Sequence, residues 1–88
     1  MLDPYKYKPG YYWLSFAEET GFLGVVIVQA ESYDQALQKA WELEINPGGN
    51  VLGGLMVEVP SEKWHDRLLN RKMLKEMELE YPRFNGRN

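Results

Sequence analysis

The residues of this chain that could carry chemistry are few, and glycine marks the densest group. Gly48, Gly49, Gly53 and Gly54 fall within seven consecutive residues, introduced by Asn46-Pro47 and interrupted by Asn50. A glycine-rich loop cradles phosphate when it leads into a helix N-terminus, where amides and the positive dipole end meet the anion. Here the loop is expected to leave a helix C-terminus, whose partial charge is negative, and it lacks the lysine of a P-loop. A type II turn with Pro47 and Gly48 at its centre accounts for the same residues. Gly53-Gly54 is harder to dismiss, because paired glycines inside a strand mark a bulge or a place where a ligand or another backbone comes close. Two arginines, Arg67 and Arg71, stand four apart; on one helix face they could grip a carboxylate or phosphate bidentately, or simply be solvated, with Arg67 paired to a carboxylate such as Glu62. If they pack near Tyr12 and Trp13, on which a base can stack, they complete a pocket for a small aromatic anion.

Covalent catalysis needs a nucleophile, a base and a group that orients the base. The hydroxyls are Ser15, Thr20, Ser32 and Ser61, and two of these serines stand where helix caps are needed. His65, the one histidine, follows Ser61 by four residues, but the serine oxygen is committed to backbone amides, which leaves His65 as a partly exposed surface residue. No Gly-x-Ser-x-Gly or His-Glu-x-x-His signature is present. The carboxylates Glu18-Glu19, Glu42, Glu44 and Glu76-Glu78-Glu80 fall at an expected hairpin tip and along helices, where charges are solvated rather than forced into one apolar pocket. With no cysteine there is neither a disulfide nor a thiolate metal site, and no twelve-residue run supplies the alternating oxygens of a calcium loop. These residues point away from an enzyme, and call for no metal and no cofactor.

Charge narrows the partners. Ten basic residues face thirteen acidic ones. Residues 9–60 carry one cation against seven anions, and residues 61–88 carry seven cations against five anions. The main part of such a chain repels a phosphate backbone, which argues against long nucleic acids. The longest apolar run, Phe22 to Val28, is too short to span a bilayer, and the first residues lack a signal-peptide core, so an intracellular protein without a membrane partner is expected. Eighty-eight residues, 44% apolar and 14% aromatic, make one domain with a thin stability margin, which tight packing or self-association must widen.

The elements that position these residues follow from local pattern. Residues 1–10, with Pro4, Pro9 and Gly10, suit an extended arm. Tyr11 to Glu18 and Phe22 to Ala30 are aromatic- and valine-rich strands joined at Glu19-Thr20-Gly21, a hairpin. Ser32-Tyr33-Asp34-Gln35 has capping-box spacing and opens a helix whose Tyr33, Ala36, Leu37, Ala40 and Trp41 form an apolar stripe, ended by Asn46-Pro47-Gly48-Gly49-Asn50. Val51 to Val59 is a third strand. Ser61 caps a second helix to about Leu69, with Asn70 either inside it or starting another helix from Arg71 to Glu80; we place a break at Asn70. Residues 81–88 form a tail, leaving 11–80 as the single domain.

The expectation is an α+β fold in the order ββαβα. A three-stranded, mainly antiparallel sheet places its third strand beside the first, with one helix on one face and the C-terminal helices beyond. Both hairpin strands are apolar on both sides: Tyr12, Leu14 and Phe16 oppose Tyr11, Trp13 and Ala17. Something besides the first helix must therefore cover the second face, either the C-terminal helices through Trp64, Leu68, Met73 and Met77 or a second copy of the chain.

At Tyr12 to Phe16, Phe22 to Val25, Ala36 through Ala40-Trp41, Ile45 to Gly49 and Val51 to Gly53, the chain resembles short uncharacterised single-domain proteins of bacteriophage and bacterial genomes. The resemblance implies an accessory protein at work in the cytoplasm of a bacterial host, binding either a host protein or a nucleotide signal that it sequesters. Together with the residues above, it leads to a non-enzymatic binding protein acting as a homo-oligomer, expected to be a dimer. Its small nucleotide-like anion would be held by Tyr12, Trp13, Asn46, Gly48, Gly49, Asn50, Gly53, Gly54, Arg67 and Arg71. The alternative is an interaction module that docks on a host protein and inhibits or adapts it.

Overall fold

The structure, a computed structural model, describes residues 7–80; the start of the arm and the tail expected over 81–88 lie outside the described residues. Strands β1 (Gly10–Glu18) and β2 (Gly21–Ala30) form the expected hairpin, in register from Gly10 opposite Ala30 to Glu18 opposite Gly21, with one irregularity between Phe16 and Ala17. Helix α1 (Tyr33–Glu42) follows, then β3 (Asn50–Leu55), a single 3-10 turn (Glu62–Trp64), β4 (Leu68–Leu69) and α2 (Arg71–Glu80). The sheet is antiparallel, in the order β3-β1-β2-β4. Among the described residues it has four strands, not three. The segment expected as a helix from Ser61 to Leu69 is instead one 3-10 turn and a two-residue strand paired with Val25 and Val26, and the third strand ends at Leu55, short of Val59.

The cap of α1 forms where the spacing placed it. Ser32 Oγ accepts from the Gln35 amide (3.1 Å), and the Gln35 side chain reaches back to the Glu31 amide (3.2 Å), one residue before the cap itself. The helix ends earlier than the proline loop demands. The amides of Ile45 and Glu44 turn back to the carbonyls of Ala40 and Trp41, a Schellman closure in which Glu44 takes φ 60°. Trp41, expected in the stripe, is 63% exposed; Ala36 and Ala40 are the buried residues of the helix.

Two cores lie on the two faces of the sheet. On the α1 face, Tyr12, Leu14, Phe16, Val26 and Val28 pack against Ala36 and Ala40. On the other, Ile27 packs with Trp64, Leu69 and Met77, flanked by Tyr11, Trp13, Met56, Met73 and Leu74. The second face of the hairpin is thus covered by the chain's own C-terminal segment. Asn70 starts α2 at the expected break, its side chain accepting from the Met73 amide (2.8 Å). The far end of α2 is tied down by Glu80, which bonds Lys63 Nζ at 2.6 Å and Trp64 Nε1 at 3.2 Å.

Candidate functional site

Hairpin register decides what meets at the end of the sheet away from the hairpin turn. Because Gly10 lies opposite Ala30, residues 7–9 run beside 31–34, and the Lys8 amide donates to the Glu31 carbonyl at 2.9 Å. Tyr12, one turn of the pleat further, is buried on the α1 face and its hydroxyl donates to the Lys8 carbonyl at 2.5 Å. The Tyr33 ring stands nearly edge-on to it, with centroids 6.4 Å apart. On the far side, β3 brings Leu55 opposite Tyr12 and Gly53 opposite Leu14. Between these elements opens a cleft of about 400 Å³, lined by Lys8, Tyr12, Ser32, Tyr33, Asp34, Gly53, Gly54 and Leu55.

The electrostatics of the cleft are balanced. Lys8 and Asp34 are exposed, one charge of each sign, and Ser32 is occupied with its cap. Burial holds the Tyr12 phenol above its ordinary range, so at neutral pH it is a neutral donor fixed on Lys8. Around the cleft stand an aromatic ring, one cation and one carboxylate acceptor. Among the described residues it offers no nucleophile with a base beside it.

Of the ten residues singled out from the sequence, the cleft collects Tyr12, Gly53 and Gly54. Trp13 points to the opposite face of the sheet, into the second core, so Tyr12 and Trp13 do not form one stacking platform. Asn46, Gly48, Gly49 and Asn50 lie at the other end of β3, where Asn50 pairs with Ala17 beside the hairpin turn. There Asn46 Oδ1 accepts from the Gly48 amide (2.7 Å), and Gly48 has φ 90°, which fits the third position of a type II turn. The arginines stand across the sheet on the β4 side and do not share a helix face. Arg67 reaches the Lys63 carbonyl (3.3 Å) from a bend, and Arg71, the first residue of α2, lies over the Phe22 ring with Cζ 4.9 Å from its centre. Ser61 and His65 also turn apart: Ser61 Oγ accepts from the Lys63 amide, while His65 Nε2 donates to the Pro60 carbonyl (2.8 Å) and its ring tilts on Tyr11 at 4.8 Å.

The glycine pair does two different things. A Cβ at Gly53 would collide with the Trp13 carbonyl oxygen, so Gly53 is required by the close approach of β1. A Cβ at Gly54 would meet nothing nearer than Trp13 Nε1 at 4.0 Å. Lys8, Ser32, Tyr33, Asp34 and Leu55 were not singled out from the sequence as site residues. The hairpin carries only part of the signal for them: the turn at residues 19–20 brings the strand ends together, but the one-residue shift between Phe16 and Ala17 resets the register, and Leu55 arrives through the pairing of β3 with β1.

Among the described residues no group of three or more histidine, cysteine or acidic side chains is placed to hold a metal ion, and no helix is long and apolar enough to cross a membrane. No protein-family model matches the chain, and comparison with curated proteins and with solved structures finds no similar one.

Proposed function

We propose that this chain is a non-enzymatic binding protein that holds a small, aromatic, phosphate-bearing ligand of nucleotide type in the cleft between α1 and β3, and so withdraws it from solution. The observation that carries this reading is the meeting of Tyr12, Gly53 and Gly54 with Lys8 and Tyr33 around one open cleft. Tyr33 supplies an aromatic ring for a base, Lys8 the charge for a phosphate, and Asp34 an acceptor for a base amino group. Arg67 and Arg71 take no part, so a singly charged ligand suits the cleft better than a polyphosphate. The ligand we have in view is a nucleotide signal of a bacterial host, met in its cytoplasm, as the expected likeness to short phage and bacterial proteins would imply.

The test is mass spectrometry of small molecules released by heat from the purified protein, with melting temperatures measured against cyclic and linear nucleotides. We expect a ligand that raises the melting temperature, an affinity loss of about 1–3 kcal/mol in Tyr33→Ala, and unchanged binding in Arg67→Ala. A panel in which no nucleotide co-purifies or shifts the transition removes the reading. One observation favours docking on a host protein instead: Trp41 and Leu43, at the end of α1, are 63% and 43% exposed. A stoichiometric partner recovered from bacterial lysate by the wild type and lost in Trp41→Ser selects that alternative.

A further inference from the structure

The two edges of the sheet are finished differently. At one edge β4 is two residues long, and so short a strand offers little to an incoming chain. At the other edge β3 runs for six residues, and among the described residues nothing is hydrogen-bonded outside it. Natural edges of that length are blunted by lysine, proline or an inward charge. The segment Asn50-Val51-Leu52-Gly53-Gly54-Leu55-Met56-Val57 contains none of these. We propose that β3 pairs antiparallel with β3 of a second copy, about a twofold axis at Gly53, joining the two sheets into one.

The register follows from the hydrogen bonds already made. The Met56 amide donates to the Tyr11 carbonyl, so Met56, Gly54 and Leu52 face β1, and the alternation of an antiparallel ladder turns the backbone groups of Val51, Gly53 and Leu55 outward. A twofold axis at Gly53 sets Gly53 against the partner's Gly53, Val51 against the partner's Leu55 and Leu55 against the partner's Val51. Each of these pairs exchanges two hydrogen bonds. The side chains then fit by the same symmetry. Leu52, 72% exposed, comes to lie opposite the partner's Gly54, where the missing side chain leaves room beside the partner's Trp13. Charge points the same way. Residues 9–60 carry a net −6, so most surfaces of this part of the chain repel a copy of themselves, whereas residues 50–57 carry no charge to oppose a self-complementary contact. Gly53, Gly54 and Leu55 also line the cleft, so a paired copy borders it, but the pairing does not depend on what the cleft holds.

The experiment has two arms. In the first, light scattering after size exclusion follows wild type and Leu52→Lys over a dilution series, with circular dichroism confirming that both are folded. A wild-type mass approaching twice 10.3 kDa at high concentration, falling to the monomer mass in Leu52→Lys, is the expected result. In the second arm, the double variant Leu52→Cys/Gly54→Cys is oxidised. Residues two apart on one strand face are too far from each other to bridge, so a covalent dimer on a non-reducing gel reports this register. A wild type that stays monomeric throughout, a dimer that survives Leu52→Lys, or a double variant that fails to cross-link overturns the proposal.

Discussion

Glu44 closes α1 with φ 60°, the left-handed conformation that costs a side-chain-bearing residue about 1–2 kcal/mol. Its amide and that of Ile45 complete the closure, so the strain is held in place by the helix end and by Ile45 packing on the α1-face core. Glu44→Gly should relieve it and raise stability by about 0.5–1 kcal/mol after allowing for the freer unfolded chain; chemical denaturation measures the midpoint shift. The opposite sign belongs to Gly53, where φ is ordinary but space is not. Gly53→Ala drives a Cβ into the Trp13 carbonyl and should cost about 1–3 kcal/mol, whereas Gly54→Ala, with open room around it, should be close to neutral in a monomer. Glycine in the strand was visible in the sequence, and so was the suspicion of a close approach. Which of the two glycines is steric and which is free depends on register, and register is a property of two strands.

At the scale of elements, the C-terminal segment shows how a local signal is overruled. Ser61 is a cap and Trp64 and Leu68 are four apart, which is how a helix begins. A lone helix of about eight residues is marginal in water, and β2 offers Val25 and Val26 an unpaired ladder position that Leu68 and Leu69 fill instead. The turn left over survives as Glu62–Trp64, pinned from the far end of α2 by Glu80. A carboxylate at a helix C-terminus opposes the dipole, and here its bonds to Lys63 and Trp64 offset that. The side-chain bonds from Lys63 and then Trp64 hold the Glu80 carboxyl below its ordinary value of 4.5. A carboxylate with a depressed folded-state pKa contributes stability above its unfolded value, and the contribution disappears as pH falls through the folded value. Wild type should therefore be more stable than Glu80→Gln at neutral pH, with the difference closing as the pH drops below the ordinary glutamate range. Urea midpoints of the two proteins across that range decide it; a difference that persists in strong acid removes the argument.

For the whole molecule, the two cores share one sheet. Leu14 on one face and Met77 on the other are both fully buried, and β2 carries Val26 and Val28 to one core and Ile27 to the other. The domain should unfold as a unit. Leu14→Ala and Met77→Ala should each cost about 2–5 kcal/mol, and in each variant tryptophan fluorescence and far-ultraviolet circular dichroism should give one coincident transition. Separate transitions in the Met77→Ala protein would mean that the C-terminal segment folds independently of the hairpin.

The sequence by itself settled the hairpin, the cap at Ser32 and the presence of apolar residues on both sides of the sheet, because each depends on periodicity or on a side chain acting within four residues of its own position; it offered the break at Asn70 as one of two readings. It also showed that the second face needed a cover, without deciding between the chain's own C-terminus and a second copy. Only the tertiary structure decided that the C-terminus supplies the cover, that Leu68-Leu69 is a fourth strand and that β3 is the long open edge. It alone decided, too, that Tyr12 and Trp13 are parted by the sheet and that the arginines stand across it from the glycine pair. These are matters of which backbone groups remain unpaired after the first contacts form. Residues far apart in the chain compete for those groups, and no spacing along the sequence records the winner.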